Sequence, residues 1–264
     1  MSSDAVHVFA WDDAREWAEE ALERHGTLAA WAESAPEALR LTGRGTVFVV
    51  HAPAPGPEAR PRWAVRHYLR GGAVAALLRD RYLDVGASRP ERELEASSAA
   101  RARGLPTPAV VAGATYPAGP MRYTADLVTE LVPDSMDLAR VLFEAPPAGR
   151  GRSDAAPTTP SRSDALRATG ALLVRTAMAG VRHADLNARN VVIRDGDDGV
   201  EAYLVDLDRG RIRNTPRPAD ARAMRDRLTH SLRKLGRGYG KPLGDEDWQA
   251  LTDGVTEARS GRSG

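Results

Sequence analysis

Three polar residues near the middle of the chain have the types and the spacing that phosphoryl transfer requires. Asp185 lies within residues 183–190, Asn190 ends that run, and Asp206 follows two short apolar segments later. A loop Asp can accept the proton of a substrate hydroxyl, while an Asn and a later Asp hold Mg²⁺ on the phosphates of ATP. Mg²⁺ prefers hard oxygen ligands and usually takes only one or two carboxylates, which suits Asn190 and Asp206.

The residues between Asn190 and Asp206 predict a hairpin that brings these two side chains together. Residues 191–193 are apolar and β-branched, residues 195–199 form a polar turn with glycines, and residues 202–205 return as a second strand. The alternative is a surface loop in which Asp and Asn only satisfy turn backbone groups, but such a loop does not require Asp206. His183 is interpreted as a packed residue beneath the loop rather than as an acid or base.

Composition bounds the class of protein. The chain has 264 residues, 42% hydrophobic and 28% charged, which is typical of a soluble globular protein with one large domain or two lobes. No apolar run is long enough to span a membrane, and the amino terminus lacks the features of a secretory signal. The absence of cysteine excludes disulfides, a thiolate zinc site and a Cys nucleophile. A net charge of +1 argues against a nucleic acid partner, and no protein partner is evident.

The amino-terminal half predicts a small antiparallel sheet with helices. Strands are expected at 41–50, interrupted by a glycine turn, and at 63–68, 110–111 and 121–131, with helices at 11–26 and 90–103. The only lysines are Lys234 and Lys241, so no Lys in this half can contact phosphate groups.

The carboxy-terminal half predicts helices on either side of the Asp185 loop. Residues 145–162 are of low complexity and should form a disordered insertion, because they cannot bury enough apolar area to offset the entropy of ordering. A helix should begin at a Ser163 or Asp164 cap and lead towards the loop. An Arg-rich helix is expected at 220–235 as the last long helix, and residues 254–264 are expected to fray.

Seven strings carry a resemblance to a known family. They are residues 43–45 (Gly-Arg-Gly), 63–72 (Trp-Ala-Val-Arg-His-Tyr-Leu-Arg-Gly-Gly), 80–82 (Asp-Arg-Tyr), 104–108 (Gly-Leu-Pro-Thr-Pro), 123–130 (Tyr-Thr-Ala-Asp-Leu-Val-Thr-Glu), 183–190 (His-Ala-Asp-Leu-Asn-Ala-Arg-Asn) and 205–210 (Val-Asp-Leu-Asp-Arg-Gly). With these strings the chain resembles the lipopolysaccharide kinases of the Kdo/WaaP type, which phosphorylate core sugars. The loop at 183–190 alone would also suit aminoglycoside or choline kinases.

The resemblance implies a fold and an activity. The fold would be α+β and bilobal, like that of protein kinases. An N-lobe at 1–132 would hold a small antiparallel sheet, and a C-lobe at 133–264 would be mainly helical. The activity would be ATP-dependent phosphorylation of a hydroxyl of 3-deoxy-D-manno-octulosonic acid (Kdo) on a lipid A precursor, in lipopolysaccharide core biosynthesis. The protein would work in the cytoplasm, as a peripheral protein on the cytoplasmic face of the inner membrane.

Within this family pattern, Asp185 would be the catalytic base, and Asn190 and Asp206 would bind Mg²⁺ with ATP. Arg66 occupies the third-strand position where protein kinases carry a phosphate-binding Lys, and a guanidinium can hold two phosphate oxygens. The alternative is an exposed strand Arg. Glu93 would be the acidic partner of Arg66, although spacing does not exclude Glu95.

Two further segments would contact the nucleotide. Gly43, Arg44 and Gly45 would form the turn that covers the phosphates, although an ordinary hairpin turn fits the same residues. Backbone groups of Glu130 and Val132 would meet adenine, because this strand leads into the second lobe.

The prediction of the residues that bind the acceptor uses charge alone. A Kdo-bearing lipid A precursor carries carboxylates and phosphates, so Arg clusters should bind it. The candidates are Arg209, Arg211, Arg213, Arg225, Arg227, Arg233 and Lys234. A solvated basic face is the alternative for each of them. Together they could also bind the anionic inner leaflet, at about 1 kcal/mol per nearby cation.

Other functions stay open at this point. A core heptose, an aminoglycoside or a protein hydroxyl could be the acceptor instead of Kdo. A nucleotide-binding pseudokinase module would use the same fold without turnover, but it would not need Asp185, Asn190 and Asp206 together.

Overall fold

The computed structural model describes most of the chain: residues 5–42, 46–68, 81–83, 86–144, 160–197 and 199–260. These residues divide into two compact units. Unit 1 contains the residues up to Ser98 together with Pro108–Leu131, and unit 2 contains Ala99–Thr107 with the residues from Val132 onwards. Residues 43–45 of the predicted glycine turn lie outside the described residues, as do residues 145–159 of the predicted insertion.

Unit 1 is built on an antiparallel sheet in the order β1-β6-β7-β4-β3-β2, with β5 paired to β7. The strands are β1 (His7–Ala10), β2 (Leu39–Thr42), β3 (Thr46–His51), β4 (Arg62–His67), β5 (Tyr82–Leu83), β6 (Val110–Pro117) and β7 (Arg122–Glu130). The helices are α1 (Arg15–His25), α2 (Leu28–Ser34) and α3 (Arg89–Arg101), whose last residues belong to unit 2. The sequence predicts most of these elements, but not β1, β5 or α2.

The two faces of this sheet pack against different helices, because successive side chains of a strand point to opposite faces. On one face, Trp63 of β4 is fully buried against α1 and α2, and the ring of Trp17 lies 4.7 Å from the rings of both Trp63 and Trp31. Arg66, three residues along β4, lies on the other face and contacts Glu93 of α3. The pleat of β4 therefore directs Arg66 towards α3.

Unit 2 is mainly helical. Its helices are α4 (Leu138–Phe143), α5 (Arg162–Met178), α6 (Pro218–Gly238) and α7 (Asp245–Ser260). Its strands are β8 (Ser135–Asp137), β9 (Val181–His183), β10 (Val191–Gly196), β11 (Gly199–Leu204) and β12 (Gly210–Ile212). They form a sheet in the order β11-β10-β8 and a separate β12-β9 pair. Among the described residues no helix is long and apolar enough to cross a membrane.

Helix α5 begins earlier than the sequence predicts. The side chain of Ser161 accepts a hydrogen bond from the backbone N–H of Asp164, so the cap is Ser161 rather than Ser163 or Asp164. Arg162 pairs with Asp247 at 2.8 Å and donates to the carbonyl oxygen of Leu142 at 2.6 Å. Residues 160–162, predicted as the end of a disordered insertion, are therefore the anchored start of a helix.

Helix α7 corrects a second expectation. It continues to Ser260 instead of fraying after Gly254, so the basic helix α6 is not the last one. A Cβ on Gly254 would clash with the carbonyl oxygen of Arg167, and one on Gly170 with that of Leu251. The glycines therefore mark a close crossing of α5 and α7 rather than the end of ordered structure.

Candidate active site

The loop that carries Asp185 is closed by two asparagine side chains. The Nδ2 groups of Asn187 and Asn190 donate to the carbonyl oxygen of Asp185, at 2.9 and 3.2 Å. Asn187 Oδ1 accepts from the backbone N–H of Arg189 at 3.0 Å, which caps the 3₁₀ turn Ala188–Asn190. The side chain of Asp185 is 57% exposed. The backbone is thus fixed while the carboxylate stays accessible, as a base for a substrate hydroxyl requires.

His183 lies buried beneath this loop, as the sequence interpretation expects. Its Nδ1 accepts from the backbone N–H of Asp185 at 3.2 Å, and its Nε2 lies 3.2 Å from the carbonyl oxygen of Val205. An Nδ1 that accepts leaves the proton on Nε2, which then donates to Val205. His183 therefore links the Asp185 loop to the residue that precedes Asp206.

The predicted hairpin is confirmed, and it brings Asn190 and Asp206 to the same end. Strands β10 and β11 pair with Val191 opposite Leu204, and the N–H of Val205 donates to the carbonyl oxygen of Asn190 at 3.0 Å. Asp206 is the next residue in the chain. It adopts a left-handed conformation, with φ 68° and ψ 54°, which is uncommon outside glycine and turns the chain into the 3₁₀ turn Leu207–Arg209.

The donor atoms at this end of the hairpin fit Mg²⁺. The amide nitrogen of Asn190 is held by Asp185, which leaves Oδ1 as the atom that can face a cation. Within the described ranges, no group of three or more His, Cys, Asp or Glu side chains could hold a metal. One carboxylate and one amide oxygen suit an ion that keeps several waters and binds phosphate oxygens, and they do not suit zinc.

Arg66 and Glu93 form a cluster with Tyr68 in unit 1. Arg66 Nη2 donates to Glu93 Oε2 and lies 3.3 Å from the hydroxyl of Tyr68. That hydroxyl donates to the same Glu93 oxygen at 2.6 Å, and the guanidinium carbon lies 4.8 Å from the centre of the Tyr68 ring. Glu93 is buried, whereas Glu95 is exposed. The structure therefore pairs Arg66 with Glu93.

The side chain of Glu130 has a role that the sequence does not predict. It is buried at the end of β7 and accepts from the backbone N–H of Glu58, at 2.9 Å, and of Arg60, at 3.3 Å. Burial raises the pKa of this carboxyl, against the lowering effect of these bonds. Glu130 thus anchors the loop between β3 and β4. Val132, the other predicted adenine contact, is buried in unit 2.

Two of the seven basic candidates contact Asp185. Arg209 Nη1 lies 3.7 Å from Asp185 Oδ2, and Arg227 Nη1 lies 3.7 Å from Asp185 Oδ1. Arg213 instead pairs with Asp220 at 2.6 Å. Arg233 lies over the ring of Trp248, and the remaining candidates, Arg211, Arg225 and Lys234, are exposed.

Comparison with known proteins assigns the family. The sequence model of the lipopolysaccharide kinase (Kdo/WaaP) family matches residues 10–254. The chain belongs to this family. Members of this kinase family transfer phosphate to a hydroxyl in lipopolysaccharide core biosynthesis, so the chain is a phosphotransferase of this type and uses ATP.

Relatives and a solved structure agree with this assignment. The 3-deoxy-D-manno-octulosonic acid kinase of Stenotrophomonas maltophilia (strain R551-3) is 37% identical over 198 residues, which cover 73% of this chain and 68% of the relative. The enzyme of the same name from Xanthomonas axonopodis pv. citri (strain 306) is 35% identical over 211 residues, 79% and 74% of the two chains. The structure of WaaP in complex with acyl carrier protein covers 96% of this chain and 91% of its own, with a TM-score of 0.52 at 15% identity. This likeness confirms the predicted α+β, protein-kinase-like fold.

Proposed function

We propose that this lipopolysaccharide kinase transfers the γ-phosphate of ATP to a hydroxyl of Kdo on a lipid A precursor. The observation that carries the proposal is the Asp185 loop, which presents an exposed carboxylate on a backbone fixed by Asn187 and Asn190. The acceptor is inferred from the relatives named 3-deoxy-D-manno-octulosonic acid kinase.

In the proposed reaction Asp185 accepts the proton of the Kdo hydroxyl. The hydroxyl oxygen forms a bond to the γ-phosphorus, the bond from that phosphorus to the bridging oxygen of ADP breaks, and ADP leaves. Such a transfer asks for little covalent chemistry from the protein, so positioning and charge stabilisation supply most of the rate enhancement. The bonds from Asn187 and Asn190 to the Asp185 carbonyl support that positioning.

The nucleotide contacts stay proposals. Arg66, oriented by Glu93, would bind phosphate oxygens, and the peptide groups of Glu130 and Val132 would meet adenine. Asn190 and Asp206 would hold Mg²⁺, which when bound neutralises charge on the phosphates. Gly43, Arg44 and Gly45, outside the described residues, stay predicted as the phosphate-covering turn. A lobe boundary at 132/133 also stays a prediction, supported by the division of the compact units after Leu131.

The location and the partners follow from the acceptor and from the charge of α6. We infer peripheral binding to the cytoplasmic face of the inner membrane, since the acceptor is a lipid and the candidates Arg225, Arg227 and Lys234 of α6 are exposed. No protein partner is evident in the sequence, but the WaaP structure is a complex with acyl carrier protein, which does not fit that expectation. Acyl carrier protein is therefore the first protein partner to test, by co-purification with the tagged chain.

The test is transfer of labelled phosphate from ATP, with Mg²⁺, to a Kdo-bearing lipid A precursor. Wild type is compared with Asp185→Asn, which keeps the size of the side chain. The expected result is transfer by wild type and a loss of about a hundredfold or more in Asp185→Asn, with ATP binding unchanged in a thermal-shift assay. Transfer to a core heptose but not to Kdo would show that heptose is the acceptor. ATP binding without transfer to either sugar would indicate a pseudokinase.

A further inference from the structure

Both oxygens of the Asp185 carboxylate face a guanidinium group. Arg209 approaches Oδ2 and Arg227 approaches Oδ1, each at 3.7 Å. All three side chains are more than half exposed. Exposed ion pairs contribute little to stability, so these contacts are easily exchanged for contacts with another anion. The proposed base is thus held by two cations that a bound substrate can displace.

Helix α6 places Arg227 at the Asp185 loop, and one hydrogen bond on each side of Arg227 joins the helix to this loop. The sulfur of Met224 lies 3.3 Å from the backbone nitrogen of His183, and the hydroxyl of Ser231 accepts from the N–H of Ala188 at 3.2 Å. Residues 224, 227 and 231 share one face of a helix, because they are spaced by three and four positions. Arg227 therefore approaches Asp185 from a helix that is anchored to the same loop.

Strand β12 places Arg209 in a comparable way. Gly210 pairs with His183 in the β9–β12 ladder. Its N–H donates to the carbonyl oxygen of Leu207 and so closes the 3₁₀ turn Leu207–Arg209. Arg209, the residue before Gly210, thus lies beside the chain as it leaves His183 for Asp185. Regular structure, rather than a free surface loop, holds both arginines near the carboxylate.

We propose that Arg209 and Arg227 bind an anionic group of the acceptor that lies close to the hydroxyl to be phosphorylated, and that they determine specificity for anionic acceptors. The inference rests on the proposed function. A carboxylate or phosphate offers the two arginines the same charge-assisted hydrogen bonds that Asp185 offers. When the acceptor binds, the guanidinium groups turn towards its anion, and the Asp185 carboxylate is released to accept the hydroxyl proton. A neutral sugar would leave the base paired with both cations.

The experiment measures kcat and KM for the acceptor and for ATP in Arg209→Gln, Arg227→Gln and the double variant. The control is Arg222→Gln, an exposed arginine on another face of α6 that forms no ion pair in the described part of the chain. Substitution of either arginine should raise the acceptor KM by about tenfold, the loss expected for one charge-assisted hydrogen bond, with the KM for ATP unchanged. Arg222→Gln should stay within about twofold of wild type.

Two modified acceptors show whether the arginines bind the Kdo carboxylate or a phosphate of the precursor. A methyl ester of the Kdo carboxylate and a dephosphorylated precursor are each compared with the intact precursor. The acceptor group that Arg209 and Arg227 bind is the one whose removal weakens wild type but has no further effect on the double variant. Full additivity of both modifications with the double variant would overturn the proposal, as would a raised KM for ATP or an unchanged acceptor KM.

Calorimetric binding of the precursor without ATP separates this inference from the proposed function. If wild type binds the precursor but transfers nothing, the proposed activity is wrong, and the arginines are still tested by the affinity of the double variant. If wild type transfers phosphate and the double variant binds and reacts equally well, only the inference is wrong. If wild type neither binds nor phosphorylates the precursor, both are wrong.

Discussion

Substitution of Arg66 by Lys tests whether the cluster of Arg66, Tyr68 and Glu93 serves the nucleotide. Both residues are cations, so the change keeps the net charge of the strand. The guanidinium contacts the Tyr68 hydroxyl and the Glu93 carboxylate through Nη2, and its planar fork carries further N–H groups in fixed directions. The single ammonium of Lys cannot satisfy Glu93 and bind phosphate with the same geometry.

The expected size of the effect follows from burial. The Glu93 side chain is 6% exposed and that of Arg66 is 27% exposed, so the pair is screened by solvent only on the Arg66 side. Loss of one charge-assisted hydrogen bond there should cost about 1.5–3 kcal/mol of transition-state stabilisation. This corresponds to a fall of about 10- to 150-fold in kcat/KM for ATP.

Steady-state kinetics with varied ATP would measure this fall, alongside Arg62→Lys as a matched control. Arg62 is an exposed arginine on the same strand, four residues earlier. A double-mutant cycle with Glu93→Gln adds a second criterion, because residues that act as one unit are strongly non-additive. The kcat/KM for ATP of the double variant should be no lower than that of the less active single variant. Equal effects of Arg62→Lys and Arg66→Lys, or full additivity with Glu93→Gln, would refute a shared role at the phosphates.

Three other changes have defined outcomes. Gly254→Ala should lower the free energy of unfolding by about 1–3 kcal/mol, because the added methyl group meets the backbone of α5. In the control Gly238→Ala the methyl group meets nothing within 4 Å, so this change should be neutral or stabilising. Urea titration of both variants measures the difference. Hydrogen bonding to Arg162 holds the pKa of Asp247 below its ordinary value of 3.8, so its contribution to stability is present above that value and lost as pH falls through the folded pKa. The stability difference between wild type and Asp247→Asn should therefore shrink as the pH falls from about 5 towards about 2, and a constant difference over that range would contradict this origin. Asp206→Ala should lose about 1 kcal/mol more stability than Asp206→Asn, since Asn tolerates the left-handed conformation and Ala does not, while both should lose transfer activity.

The sequence predicts best those features that short segments determine by themselves. The β10–β11 hairpin follows from two short apolar runs and a polar turn between them, and it juxtaposes Asn190 and Asp206 without help from distant residues. Helix α2 escapes prediction because part of its amino-terminal cap is distant in sequence: Asp126 accepts from the N–H of Ala29 at 2.8 Å, across 97 positions. A signal of this kind exists only after the sheet has formed.

The same limit applies within the candidate site. From charge alone, all seven basic residues are equally good candidates for acceptor ligands. The packing of α6 and β12 then places Arg209 and Arg227 beside Asp185. The side-chain role of Glu130 is hidden in the sequence for the same reason, since its partners are backbone groups of a loop about 70 residues earlier. Glycine also misleads at Gly254, where a helix crossing resembles a chain end in sequence.

The tryptophan cluster of unit 1 makes the chain its own optical probe. Three of the five tryptophans form this cluster: the ring of Trp17 lies edge to face with the rings of Trp31 and Trp63, 4.7 Å from each, close enough for their excited states to couple. Near-ultraviolet circular dichroism should therefore carry a strong signal that is specific to unit 1. Trp248 of α7 lies beside Arg233 in unit 2, so the emission of a variant that keeps Trp248 as its single tryptophan would report on the other unit. Unfolding followed at both signals would show directly whether the two units lose their structure together or one after the other.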